Sequence, residues 1–263
     1  MTDYFDYPRN KTVRKSNDLI QHSRFDLTLN QQKIILYLIS QISPYDKDFQ
    51  TYQFSIPEFC RVCGIEMSGN NYNELKKHLK AVADKSAWIY SPTNPEKEIL
   101  FRWISTANIV KGSGILEIRL SEELKPYLLQ LRENYTQYDL IFTLSFKCKY
   151  SIRLYELIKS IHFDERKPYI KTYNLDEIKI LLGAEKYNVY NEFRRFCLTP
   201  AIEEINRNTD KTISFTPIKH GKKVVGIQLT VETKDLVDRA NIRVLAEKIL
   251  DKQITFFDEG IMK

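Results

Sequence analysis

An internal repeat, and within each copy the order helix, short helix, long helix, β-hairpin, predict an α+β chain, mostly α. They place in it two tandem winged helix-turn-helix domains. The repeat rests on three landmarks. Tyr72-Asn73-Glu74-Leu75-Lys76-Lys77 returns as Tyr190-Asn191-Glu192-Phe193-Arg194-Arg195, and Leu36-Tyr37-Leu38-Ile39 returns as Leu154-Tyr155-Glu156-Leu157, both at an offset of 118. Between them, Ser55 to Gly64 returns as Asn174 to Gly183 at an offset of 119. So long a period excludes a short-repeat array and fits two related domains, here bounded as 1–133 and 134–263.

Each element of the first copy has a local cause. Leu29, Ile35, Leu36, Ile39 and Ile42 recur near helical spacing, which predicts a helix from Thr28 to Ile42 with Thr28 or Asn30 as cap. Ser55 caps a second helix, Pro57 sits in its first turn, and Gly64 ends it. Asn70 or Asn71 caps a third helix to about Lys85, with Leu75, Leu79 and Val82 inward. Strands follow at Trp88–Tyr90, Leu100–Val110 and Ile115–Leu120, with Lys111-Gly112-Ser113-Gly114 as a hairpin turn.

The second copy repeats the plan. Cys148 to Phe163 is a helix, Asn174 caps Leu175–Leu182, and Gly183 ends it. A third helix covers about Val189 to Asn206, kinked at Pro200 or restarted there with Thr199 as cap. Ile213–Ile218 and Val224–Val231 are strands around His220-Gly221-Lys222-Lys223. Leu124 to Thr143 links the copies through a short helix and a strand at 138–142. Asp235 to Leu250 is an amphipathic helix with Leu236, Ile242, Leu245 and Ile249 on one side, packed on the second domain or held for a partner.

Composition narrows the function. The chain has 263 residues, a net charge of +6, 43% hydrophobic and 28% charged residues, so it can build cores and admits a polyanion partner. No apolar run is long enough to span a membrane, and Met1 to Ser16 has no apolar signal core, so no membrane partner and a cytoplasmic location are expected. Cys60 and Cys63 form a lone C-x-x-C without the further ligands zinc needs, and read as buried thiols of a short helix. His22, His78, His162 and His220 are scattered, and no phosphate-binding, nucleophile-elbow or dinucleotide motif occurs. Carboxylate pairs such as Glu203-Glu204 read as a polar helix face. No enzyme, no catalytic residue, no metal and no cofactor are therefore expected.

The chemistry instead concentrates on the third helix and the wing of each copy. A helix-turn-helix presents the start of its later helix to base edges in the major groove, while cations around it hold phosphates. This selects Tyr190, Asn191, Arg194 and Arg195 as a reading face, because Arg pairs with guanine and Asn with adenine in bidentate fashion. Lys186 lies just ahead of the helix. Lys219, His220, Lys222 and Lys223 crowd the wing tip. The matched positions of the first copy are Asn73, Lys76, Lys77 and Lys80. Lysine lacks the planar fork of Arg, so the second domain should read sequence and the first should hold backbone. Alone, each cluster is also what a solvated helix face looks like. Their coincidence at matched positions on the element that enters a groove favours double-stranded DNA.

Phe193-Arg194-Arg195, then Leu198-Thr199-Pro200-Ala201-Ile202-Glu203-Glu204-Ile205-Asn206, then Thr209 and a basic hairpin, resemble the plasmid initiator replication proteins of the Rep_3 type. Lys15-Ser16-Asn17-Asp18-Leu19-Ile20 and Leu27-Thr28-Leu29-Asn30-Gln31-Gln32-Lys33 strengthen the likeness, which runs from about Val13 to Thr233. The resemblance implies binding to repeated origin sites (iterons), opening of adjacent AT-rich DNA, and recruitment of host replication proteins such as a helicase or initiator. It also implies plasmid copy control, a homodimer in equilibrium with monomer, autorepression by the dimer, and a dimer contact in the first domain. It makes Asn191, Arg194 and Arg195 the main readers. The chain departs from the pattern at Phe196 and Cys197, where some relatives continue with arginine. A dedicated transcriptional repressor or a DNA-nicking enzyme are the alternatives on this fold.

Overall fold

The computed structural model describes residues 10–66, 72–91, 94–110 and 112–261. The chain divides into two units, Met1–Leu144 with Glu247–Lys263, and Ser145–Ala246. In the first, β1 (Thr12–Ser16) leads into α1 (Asn17–His22), capped by the Ser16 hydroxyl, which accepts from the Leu19 amide at 3.2 Å. Next comes α2 (Leu29–Ile39), opened by a reciprocal cap: Thr28 Oγ1 accepts from the Gln31 amide and Gln31 Oε1 from the Thr28 amide. Every residue from Gln31 to Ile39 is buried, so α2 is the central helix of the unit and not the one-sided helix its spacing suggests.

Strand β2 (Tyr52–Ser55) runs into α3 (Ile56–Cys63), where Pro57 occupies a first-turn position that needs no amide donor. Gly64 stops α3 at φ 67°, a left-handed conformation that a side chain would strain. Then comes α4 (Asn73–Ala83). The expected caps Asn70 and Asn71 lie outside the described residues, and Tyr72 holds the cap position without a side-chain hydrogen bond.

The expected strand at 100–110 is two strands. The indole of Trp103 turns into the core at 1% exposure and breaks the run. Before it, β3 (Ser86–Ser91) and β4 (Asn94–Arg102) form a separate two-stranded ribbon. After it, β5 (Ile104–Val110) and β6 (Ile115–Leu120) form a hairpin, and with β2 a sheet in the order β2-β6-β5. Lys111 of the hairpin turn lies outside the described residues.

The short helix expected in the linker is α5 (Lys125–Leu128), and it is followed by β7 (Tyr135–Asp139). The strand expected at 138–142 is therefore only partly a strand. Leu140–Leu144 forms α6, buried along its whole length, and an apolar run without alternation does not distinguish the two. Strand β7 pairs antiparallel with β1, Val13 opposite Tyr138, so residues 135–139 belong to the first unit. That pairing moves the boundary from the expected 133/134 to Leu144/Ser145.

In the second unit α7 (Lys149–Ile161) is buried from Tyr150 to Ile158. Strand β8 (Tyr169–Asn174) leads into α8 (Leu175–Leu182), capped by Asn174 with Glu177 and stopped by Gly183 at φ 64°. Next, α9 (Tyr190–Phe193) continues through a single π turn, Arg194–Leu198, into α10 (Thr199–Asn208). Pro200 neither restarts the helix nor makes Thr199 a cap. Thr199 stays helical, its amide reaching back five residues to the Arg194 carbonyl. The widened turn absorbs the missing amide of Pro200 without ending the helix.

Strands β9 (Lys211–His220) and β10 (Lys223–Thr233) complete a sheet in the order β8-β10-β9, the same topology as β2-β6-β5. Gly226 follows a bulge in β10, where an added Cβ would meet the Tyr173 carbonyl oxygen at 2.6 Å. Glu204 is more than a polar helix face. Its carboxylate accepts from the Lys147 and Cys148 amides at 2.9 and 3.0 Å and from the Ser151 hydroxyl at 2.6 Å, closing the start of α7.

The last helix, α11 (Leu236–Ile261), runs beyond the expected 235–250, and the division gives 247–263 to the first unit instead of the second. Leu236 and Leu245 are exposed and Ile242 and Ile249 half-buried, so the expected apolar side is not a buried face. Among the described residues no helix is long and apolar enough to cross a membrane.

Candidate nucleic-acid interface

The third helix of the second unit is anchored from inside. Phe193, Cys197, Ala201 and Ile205 are fully buried and Ile202 nearly so, which turns the opposite side outward. Asn191, Arg194 and Arg195 are exposed on that outer side. Neither arginine enters an ion pair among the described residues. Tyr190 differs from the other three. Its hydroxyl is buried without a hydrogen-bond partner among the described residues, and burial raises its pKa, so the group points toward the core.

Just ahead of the helix, exposed Lys186 places its ammonium 5.0 Å from the Tyr187 ring centre. Tyr187 stacks on Phe196 at 6.1 Å and 21°, and the Arg195 guanidinium lies 5.1 Å from the Phe196 ring. The spacing of charges does not disclose Tyr187. Its signal in the sequence is an aromatic residue in the turn before a basic helix. At the wing tip Lys219, His220, Lys222 and Lys223 are all exposed around Gly221, and none enters an ion pair among the described residues.

The first unit places Asn73, Lys76, Lys77 and Lys80 on the exposed side of α4, with Leu75, Leu79 and Val82 inward. Here the charge is partly spent within the helix. Lys77 pairs with Glu74 at 2.5 Å and Lys80 with Asp84 at 2.6 Å, which draws the Glu74 carboxyl below its ordinary range. Lys76 enters no ion pair among the described residues. Between α4 and β5 lies an open groove of about 450 Å³, with Lys76 and Lys80 along it and Leu79, Ile104 and Ala107 among its apolar lining.

A buried polar cluster holds the base of the second wing. Asp210 accepts from the Tyr155 hydroxyl at 2.7 Å and from Lys159 at 3.1 Å. Lys211, without exposure, donates to Glu165 and Thr233 at 2.7 Å. Burial alone would raise the Glu165 pKa, but the hydrogen bonds from Lys211 and Lys159 overcome it and bring the pKa to about 2. Burial lowers that of Lys211. Lys234 donates to the Asn206 and Thr209 carbonyls, tying the end of β10 to the end of α10. These hydrogen bonds tie the end of α10 to the two strands of the wing at its base.

Cys60 and Cys63 are buried free thiols on α3, as expected, and burial pushes Cys60 up to about 12 and Cys63 well above its ordinary value. Such thiols are neutral near pH 7 and make poor nucleophiles or metal ligands. Among the described residues no group of three His, Cys, Asp or Glu side chains is arranged to hold a metal ion.

Comparison with known proteins finds two winged-helix models in order along the chain, the first of which also takes in most of α7. Residues 12–159 match the family model described as initiator replication protein, WH1, and residues 174–231 match initiator Rep protein, WH2. A replication initiation protein of Escherichia coli is 32% identical over 202 residues, 74% of this chain and 61% of the relative's length. The chain thus spans less than two thirds of that relative. An uncharacterized 27.6 kDa protein of Escherichia coli is 22% identical over 227 residues, 82% of this chain and 93% of that one. Among solved structures, the Pi initiator protein in complex with iteron DNA superposes with a TM-score of 0.67 at 20% identity, covering 86% of this chain and 99% of that one. With both winged-helix models matched in order and the same fold found in the Pi initiator, this chain belongs to the initiator replication protein family.

Proposed function

We propose that the chain initiates plasmid replication by binding repeated origin sites. The second unit reads sequence through Asn191, Arg194 and Arg195, and Lys186 with the wing residues Lys219, His220, Lys222 and Lys223 holds phosphates. Asn73, Lys76, Lys77 and Lys80 of the first unit grip backbone. The observation that carries this reading is the contrast between the two helices. The arginines of the second are exposed and unneutralised among the described residues, whereas two of three lysines of the first are spent on carboxylates. Family membership and the fold shared with the Pi initiator support it.

In this reading the initiator acts in the cytoplasm without catalysis of its own, opens AT-rich DNA beside the sites and recruits host replication proteins. A homodimer joined through the first unit represses the initiator's own gene, and the monomer binds the iterons. Support for the dimer contact comes from the β3–β4 ribbon, which has no counterpart in the second unit among the described residues. It exposes Trp88, Tyr90 and Leu100 together, with Trp88 opposite Leu100.

Protection mapping of the DNA flanking the gene tests the proposal. Tandem repeats, each covered over about 20 base pairs, are the expected result. A lone inverted repeat would make the chain a dedicated repressor. Supercoiled origin DNA relaxed in the presence of metal, with a covalent tyrosine adduct, would make it a nicking enzyme.

A further inference from the structure

On the outer side of the second unit's third helix lies an aromatic ring that the core does not need. Phe196 is 49% exposed, while Phe193 and Cys197 on either side of it are completely buried. The ring is nonetheless held. Tyr150, buried beneath, meets Tyr187 edge-on at 6.2 Å, with the two hydroxyls 3.5 Å apart, and Tyr187 stacks on Phe196. A column of rings thus runs from the core to the surface and ends on Phe196, with the Arg195 guanidinium against it. Phe196 stands four residues after exposed Glu192, as Arg195 stands four after Asn191, so two neighbouring rows share the outer side.

We infer that Phe196 is a sequence-reading residue: its ring takes the 5-methyl group of a thymine next to the base pair read by Arg195. This rests on the reading that the 190–208 helix enters a major groove, and it goes beyond it by naming a base and an apolar contact. Thymine alone offers a methyl group in that groove, and an apolar side chain there distinguishes it from cytosine without a hydrogen bond. A ring already fixed by its neighbours loses little freedom on contact. Its approach to the Arg195 guanidinium places the two contacts on neighbouring base pairs.

The experiment uses the full chain and duplexes that it selects from a random-sequence library. Each thymine of the selected site is replaced singly by deoxyuridine, which removes the methyl and keeps the pairing. Affinity is read by fluorescence anisotropy. One position is expected to lose about fourfold, the worth of one buried methyl. In Phe196→Ala that loss disappears, while sensitivity to guanine substitution and the thermal midpoint stay as in the parent. Phe196→Leu, which keeps an apolar contact, retains the loss. Equal binding of every deoxyuridine duplex by the parent, or an undiminished loss in Phe196→Ala, overturns the inference and leaves sequence-specific binding standing. A library from which the parent enriches no sequence overturns the groove-binding reading itself.

Discussion

Two side chains differ more in availability than in charge. Arg195 is exposed and touches a ring; Lys77, at the matched place in the first unit, ends on Glu74. An ammonium already paired would have to break that pair before meeting a base, so Arg194 and Arg195 are the side chains ready for one. Arg194→Ala and Arg195→Ala should each weaken binding to the selected site by roughly 1–3 kcal/mol and relax its sequence preference. Lys222→Ala should weaken specific and random duplexes alike, and competition titrations with both separate the roles. Glu204 acts on stability instead. Glu204→Ala removes three hydrogen bonds at the start of α7 and should lower stability by about 1–2 kcal/mol in urea unfolding. Glu165 sets an acid limit. Its folded pKa of about 2 lies below the ordinary 4.5, so the folded state binds its proton less readily than the unfolded. Its contribution is therefore complete above about 4.5 and lost as the pH falls from there toward 2. The gap in urea midpoint between parent and Glu165→Gln should be open at pH 6 and closing by pH 3.

At the scale of elements, the two units share a plan down to their stops. The Gly64 amide donates to Arg61 O and Ile65 to Cys60 O; Gly183 donates to Ile180 O and Ala184 to Lys179 O. The β3–β4 ribbon is where the units part. If it forms the dimer contact, Trp88→Glu with Leu100→Glu should yield monomer by analytical ultracentrifugation while leaving binding to a single repeat intact. A dimer that survives both changes places the contact elsewhere. What the sequence made legible follows from where each signal is stored. Helices α2, α3 and α8 announce themselves through local caps or stops, as do the hairpin turns. Strands β2 and β8 were not legible, because they are short and owe their existence to partners far along the chain, β6 and β10. The division of the compact units at Leu144/Ser145 was not legible for the same reason: β7 is fixed by β1. The exposed basic side of the helix was legible as a cluster of charges, but the inward hydroxyl of Tyr190 and the ring column ending on Phe196 depend on packing that no spacing encodes.

Across the whole molecule, the slope of binding against salt counts the cations that meet phosphate, each contributing about −0.9 on a log–log scale for duplex DNA. A cation held by its own carboxylate adds little to that count. The first unit therefore keeps a reserve: Glu74 and Asp84 hold back Lys77 and Lys80 on the element matched to the basic helix of the second. Releasing one of them should act opposite to a typical surface mutation. Glu74→Gln frees Lys77, and since an exposed pair contributes little to stability, folding should be almost unaffected. Binding to duplex DNA should tighten at low salt, and the slope should steepen by up to about 0.9. Removing Lys222 and Lys223 together should flatten it by roughly 1.8. Titrations from 50 to 200 mM salt measure both changes. If Glu74→Gln leaves the slope unchanged while the double wing variant flattens it, Lys77 meets no phosphate and belongs to a solvated helix face.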